Sequence, residues 1–268
     1  MRLGLIVRNM GDLATAGIVR NVAIEAEEAG LDGVWVTDHI AIPPDEAEGS
    51  NGRYLDPLTT LSFLAAATHR IALGTSVLIL PYRRALPTAK SVATVQELSG
   101  GRLRLGVGVG WMGAEFKALG IERRRRGRDT DRVLDTLNRC FTSDEVEENG
   151  QAFLFRPRPA RPPIFVGGSG SHALQRTVKF GDGWLPGRIS PSDLSAPMAE
   201  LAELADRAGR PMPSVVMMLG LPLGDGAAAD DLIAQYDEAG VCELIHAGRF
   251  SSESDCLEGI AALHALKA

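Results

Sequence analysis

The chain has 268 residues, 45% of them hydrophobic and 23% charged, with a formal net charge of −6. That composition suits a globular protein with a large core, and the acidic balance argues against a general nucleic-acid binder, whose affinity rests on neutralising phosphates. Three cysteines, Cys140, Cys242 and Cys256, are an odd number at no metal-like spacing, which reads as packing roles in a reducing compartment and no metal site. No apolar run approaches the length of a membrane span, and the chain enters a strand at Arg2 with no signal peptide, so a soluble cytoplasmic protein is expected.

Strands and helices alternate from the start. Leu3 to Val7 reads as a first strand, Ala14 to Ala29 as a helix closed by Gly30, and Gly33 to Thr37 as a second strand. A loop rich in proline, glycine and acidic residues follows, from about Ile40 to Leu55. Asp56-Pro57 opens the next helix, the carboxylate capping free amides and the proline taking the first helical position. Ile71 to Leu80 is a third strand, apolar enough for burial on both faces, and Leu86 to Leu98 a helix. Ser99-Gly100-Gly101 is turn chemistry. Leu103, Leu105, Val107 and Val109 then alternate with small or polar residues, which is the period of a fourth strand.

Gly127 to Phe141 is helical, with Val133, Leu134, Leu137 and Cys140 on one stripe. Gln151 to Phe155 is a short excursion before a fifth strand, Pro163 to Gly167, and Ser171 to Phe180 is the next helix. Gly183 to Leu185, Ser214 to Leu219 and Val241 to Ile245 are further strands, separated and followed by helices at Ser192 to Ala208, Asp230 to Ala239 and Glu253 to Leu266. Eight βα units without a nucleotide-binding glycine signature after the first strand predict a (β/α)8 TIM barrel over residues 1–268 as one domain. The long loop after the second strand and the excursion near residue 151 are its expected insertions, and a doubly wound open sheet is the runner-up.

Barrels of this kind carry function at the C-terminal ends of their strands. The second strand ends in Asp38-His39, a histidine beside a carboxylate, able to move a proton near neutral pH; the bland reading is a solvent-facing pair at a loop entrance. The third contains Gly74-Thr75-Ser76-Val77, whose hydroxyls need partners once buried, either one another or a polar ligand. Gly106, Gly108 and Gly110 leave bare backbone along the fourth strand, suited to a tightly packed neighbour or to a flat ligand. Trp111 follows, to cover a ring or cap the mouth, with Glu115 soon after. Gly167-Gly168-Ser169 precedes a helix, where free amides and the helix dipole favour a phosphate, although Gly-Gly-Ser also makes ordinary turns. The arginine run at 123 to 128 reads first as a solvated face and second as a contact for a cofactor's anionic tail; the eighth strand ends near His246, which ranks below the residues above, with His69, His172 and His264 lower still.

Taken together, these segments resemble the bacterial luciferase-like superfamily, and within it the compact coenzyme F420-dependent oxidoreductases. The resemblance runs through Val34 to His39, Asp56 to Leu61, Ala65 to Val77, Leu98 to Leu103, Gly106 to Trp111, Pro162 to Gly168 and Gly181 to Pro186. It implies a barrel holding a deazaflavin, coenzyme F420, in its C-terminal mouth and moving a hydride to or from a small-molecule substrate, as a homodimer; the alternatives are an FMN-dependent monooxygenase and a flavin-binding barrel without turnover. Asp38 and His39 match the pair near the reactive edge of the ring, with His39 as acid or base and Asp38 positioning it or touching the cofactor. Ser76-Val77 matches a non-prolyl cis peptide behind the ring, and Gly108 the backbone lining the ring pocket. Gly167, Gly168 and Ser169 match the phosphate loop, and Trp111 would wall the substrate side. One departure stands out: some relatives place a glutamate proton donor where this chain has Trp111, and Glu115, four residues on, is not a clean substitute.

Overall fold

Parallel hydrogen bonding runs from strand to strand until it meets itself. A computed structural model of the chain, describing residues 1–267, places β1 (Arg2–Ile6), β2 (Gly33–Val36), β3 (Ala72–Ile79), β4 (Leu103–Gly108), β7 (Ile164–Gly167), β8 (Gly183–Leu185), β9 (Ser214–Leu219) and β10 (Glu243–His246) in a closed barrel of order β1-β10-β9-β8-β7-β4-β3-β2. The expected (β/α)8 barrel is therefore the fold. Helices α1 (Ala16–Glu28), α2 (Pro57–Ala67), α3 (Ala85–Leu98), α5 (Arg126–Thr142), α6 (Ser171–Phe180), α7 (Ser195–Arg207), α8 (Gly226–Glu238) and α9 (Glu253–Ala265) surround it. Their apolar stripes bury against the outer faces of the strands, with Val133, Leu134, Leu137 and Cys140 of α5 all in that layer. Asp56 caps α2 as its sequence predicts, accepting from the Thr59 amide at 2.9 Å with Pro57 at the first position.

Two elements went beyond the expected alternation. The excursion is an antiparallel hairpin, β5 (Glu145–Glu148) and β6 (Gln151–Leu154). Its two-residue loop is Asn149-Gly150 with φ of 52° and 77°, the left-handed pair that a tight hairpin turn needs. The second addition is α4 (Gly113–Ala118), one short helix after β4 that buries Phe116 and Glu115. Residues 123–128 form a turn and the start of α5, with Arg124 against Glu122 and Arg125 against Asp129 on an exposed face.

The inside of the barrel is filled by few, large side chains. Trp35, Phe165, Leu185, Val216 and Ile245 form one buried cluster, and Trp35 meets Phe165 edge-on with ring centroids 6.1 Å apart. The Trp35 indole N–H donates to the buried Glu243 carboxylate at 3.2 Å, which also pairs with Arg2 and Arg104. Room for the indole comes from glycines: a Cβ at Gly74 would lie 2.1 Å from Trp35 Cε3, and one at Gly4 2.9 Å from Trp35 Nε1. Overfilling such a site forces shifts that cost about 1–3 kcal/mol. Gly74→Ala is accordingly expected to destabilise the fold by about 2 kcal/mol or more in urea denaturation; an unchanged midpoint would show that Trp35 repacks freely.

Candidate active site

Site construction begins where β1 and β2 end. Asn9 is fully buried; its side-chain amide donates to the carbonyls of Thr37 (2.8 Å) and Leu55 (2.9 Å), and its oxygen accepts from the Thr37 amide (3.0 Å). This lashing sets the path of the next two residues, which go to different partners. Asp38, 3% exposed, takes the Arg83 guanidinium in bidentate fashion at 2.6 and 2.9 Å and the Ile79 amide at 2.8 Å. Arg83 reaches Asp56 as well, at 3.2 Å. Asp38 is thus engaged by β3 and the turn after it, and its carboxylate makes no hydrogen bond to His39.

The carboxylate at His39 is Glu115. Its side chain is wholly buried; one oxygen accepts from the amides of Ile40 (2.6 Å) and Ala41 (3.1 Å), the other lies 2.8 Å from His39 Nδ1 and 3.1 Å from the Tyr82 hydroxyl. Burial opposes a charge on Glu115, but the Ala41 and Ile40 amides and His39 outweigh it and hold the carboxyl below its ordinary range. An acceptor-only carboxylate needs a proton on Nδ1, so Nε2 is the nitrogen left for chemistry. Burial, followed by the charge of Glu115, pushes the Tyr82 hydroxyl upward, so Tyr82 stays a donor. His39 sits between Tyr54 (ring centroids 5.0 Å) and Trp111 (6.1 Å, edge-on). Trp111 itself is 61% exposed, an aromatic wall at the rim of the mouth.

On the facing strands the peptide Ser76–Val77 is cis, as the resemblance implies, and the β3–β4 register shifts between Thr75 and Leu78. The Thr75 hydroxyl donates to the Gly106 carbonyl at 2.6 Å and Ser76 to Met218 Sδ at 3.3 Å, so both hydroxyls find protein partners. The bare face of β4 is covered by protein too. A Cβ at Gly106 would meet the Thr75 carbonyl at 2.0 Å, and one at Gly108 would meet Val77 Cγ2 at 2.4 Å. A Cβ at Gly167 would meet Val77 Cγ1 at 3.0 Å. Gly108 and Gly167 therefore seat the Val77 side chain, and any support they lend a ligand passes through it.

At the end of β7 the chain turns through Gly168 (φ 117°) and Gly170 (φ 88°) into α6. The Gly168 carbonyl accepts from the Trp184 indole at 2.8 Å and its amide donates to Leu185, which pins the loop. Among the described residues, the amides of Ser169, Gly170, Ser171 and His172 donate to no backbone carbonyl. Four free N–H groups at the head of a ten-residue helix, on a glycine turn that no side chain obstructs, fit a phosphate. A flavin or deazaflavin phosphate therefore suits the amides of Ser169 to His172.

His39, Val77 and the phosphate loop lie at strand ends as the sequence suggests; Glu115, set aside there as an unclean substitute for a proton donor, is the partner of His39, while Tyr82, Tyr54 and Arg83 were not among the expected site residues. Only Glu115 left a signal: a carboxylate beside Phe116 in a short apolar turn is one that must find donors inside.

The chain belongs to the luciferase-like monooxygenase family, whose pattern it matches over residues 7–254. It is 32% identical over 190 residues, 69% of this chain and 54% of the other, to a 5,10-methylenetetrahydromethanopterin reductase of Methanolobus tindarius. An F420-dependent secondary alcohol dehydrogenase, solved with an F420–acetone adduct, shares the fold at a TM-score of 0.80 and 16% identity over 96% of both chains. The oxygenating constituent of 3,6-diketocamphane monooxygenase from Pseudomonas putida, solved with FMN, does so at 0.77 and 13%, over 98% of this chain and 96% of that one.

Removing one partner of a buried ion pair strands the other and costs about 3–5 kcal/mol. Asp38→Ala should therefore lower the unfolding free energy by about 3 kcal/mol in chemical denaturation. A loss below 1 kcal/mol, together with a selective loss of turnover, would return Asp38 to a direct role.

Proposed function

We propose that this protein is a coenzyme F420-dependent oxidoreductase that moves a hydride between the deazaflavin and a small organic substrate. The observation that carries the reading is the His39–Glu115 pair at the end of β2, an imidazole whose free nitrogen is set by a buried carboxylate. Hydride transfer at an alcohol or carbonyl carbon obliges the oxygen to lose or gain a proton, and a fixed imidazole is suited to that exchange. Coenzyme F420, when bound, supplies or accepts the hydride.

Each residue then has a defined task. The free amides from Ser169 to His172 hold the phosphate, with the α6 dipole behind them. Val77, buttressed by Gly108 and Gly167, backs the ring. His39 Nε2 exchanges the proton with the substrate oxygen, while Glu115 holds the ring in place and stabilises the imidazolium as it forms. Trp111 and Tyr54 flank His39 and keep the substrate against it. A homodimer is part of the same proposal, carried by the family resemblance.

The second reading is an FMN-dependent monooxygenase, since the phosphate cradle accepts either cofactor and the Pseudomonas putida structure holds FMN on this fold. Parallel titrations of the apo protein with F420 and FMN, followed by fluorescence, separate the two. Tight F420 and weak FMN binding is the expected outcome; the reverse moves the protein to the oxygen-using branch.

Within the deazaflavin reading, His39→Ala should lower kcat by about 10²–10⁴-fold while the cofactor Kd stays within about twofold. Glu115→Gln removes the charge and keeps the shape, and is expected to lower kcat by about tenfold or more with the cofactor Kd again unchanged. Equal losses in kcat and cofactor affinity would assign the pair to binding instead.

A further inference from the structure

At the C-terminal ends of β9 and β10 the structure holds a cavity of about 870 Å³ that the proposed chemistry leaves unused. Met217, Leu219 and His246 line it from the strands, and Arg188, Arg249 and Phe250 from the loops. His246 ends β10 and is 4% exposed. Its Nδ1 accepts the Leu221 amide at 3.0 Å, so the ring proton is on Nε2, which has no hydrogen-bond partner among the described residues. Burial pulls the imidazole down to about 4, leaving it a neutral donor at physiological pH. Gly248 keeps that donor open, because a Cβ there would lie 2.6 Å from His246 Nε2.

Arg188 and Arg249 make no ion pair among the described residues, whereas Arg83, Arg104, Arg139, Arg161 and Arg176 all do. Two acids line the same cavity and still do not neutralise them. Asp255 is taken by Ser251 and Ser252 at the head of α9, and Glu258 accepts from Ser254 at 3.3 Å. Two unpaired guanidinium groups beside a buried N–H donor are an oxyanion's complement.

We propose that this cavity is an oxyanion site, in which a carboxylate or phosphate of the substrate lies against Arg188 and Arg249 and accepts from His246 Nε2. Its assignment to the substrate rests on the function proposed above; the anion site itself rests on the cavity alone. In the barrel order, β10 is separated from β2 by β1 only, and from the phosphate cradle on β7 by β9 and β8. The anion site thus lies at the same end of the barrel as His39, and the proposed substrate class is a small organic anion.

The test uses the apo protein with ¹⁵N-labelled histidine and malonate as the probe, at fixed ionic strength against chloride. A saturable shift of the His246 ring resonance, assigned by its absence in His246→Gln, is expected. Arg188→Met with Arg249→Met should weaken it by about tenfold or more. Both side chains are exposed and bonded to nothing, so the double variant should fold; matched thermal melts check this. A non-saturating shift, or one of full strength in the folded double variant, overturns the site. Repeating the titration with F420 bound distinguishes the anion's source. Retained malonate binding supports the substrate. Competition by F420, but not by the deazaflavin riboside that lacks the phosphate and acidic tail, assigns the site to the cofactor and overturns that part. Failure of F420 to bind at all overturns the cofactor reading while the malonate result still decides the anion site.

Discussion

The site depends on one buried carboxylate. Among the described residues Glu115 pairs with no arginine or lysine; its bonds are to the amides of Ile40 and Ala41, the Tyr82 hydroxyl and His39. An ionised group so placed is tolerable only while every donor stays in reach. That requirement ties together three segments distant in sequence: the loop after β2, the turn after β3 and helix α4. The orientation of His39 follows from a solvation demand, which explains how a loop residue acquires the fixed geometry that proton transfer needs.

The two ends of the barrel divide the work. Near the start of β10, Glu243, Arg2, Arg104 and the Trp35 indole close the interior with a satisfied polar network, and glycines on β1, β2 and β3 yield their space to the indole. At the other end glycines serve a side chain again: Gly108 and Gly167 admit Val77 from β3. Three adjacent strands thus lock one small apolar side chain where the family resemblance expects a ring to rest. Pre-organised support of that kind spares a bound cofactor the cost of ordering its own pocket.

Most of the fold was legible because hydrophobic period and turn chemistry repeat eight times, and each unit reports its strand and helix independently. The parts that escaped are those whose cause is tertiary. Helix α4 is six residues long, too short for a period to register, and it exists because Phe116 packs against Tyr82. The hairpin turns on Asn149-Gly150, a pair not read as a turn in the sequence, and its first strand, Glu145 to Glu148, has three acidic residues in four and no strand-like composition. In the site, adjacency in sequence was a poor guide: Asp38 and His39 are neighbours, but their alternating directions send them to Arg83 and Glu115. Only the folded chain brings residue 115 to residue 39.

That divergence gives the two acids different electrostatic surroundings. Asp38 faces a bidentate guanidinium, which offsets much of its charge at close range. Glu115 is held by neutral dipoles alone, and a charge solvated by dipoles still acts at full sign on the nearest titratable ring. In a medium less polar than water that attraction grows as solvent is excluded, and a substrate closing over Trp111 would exclude it.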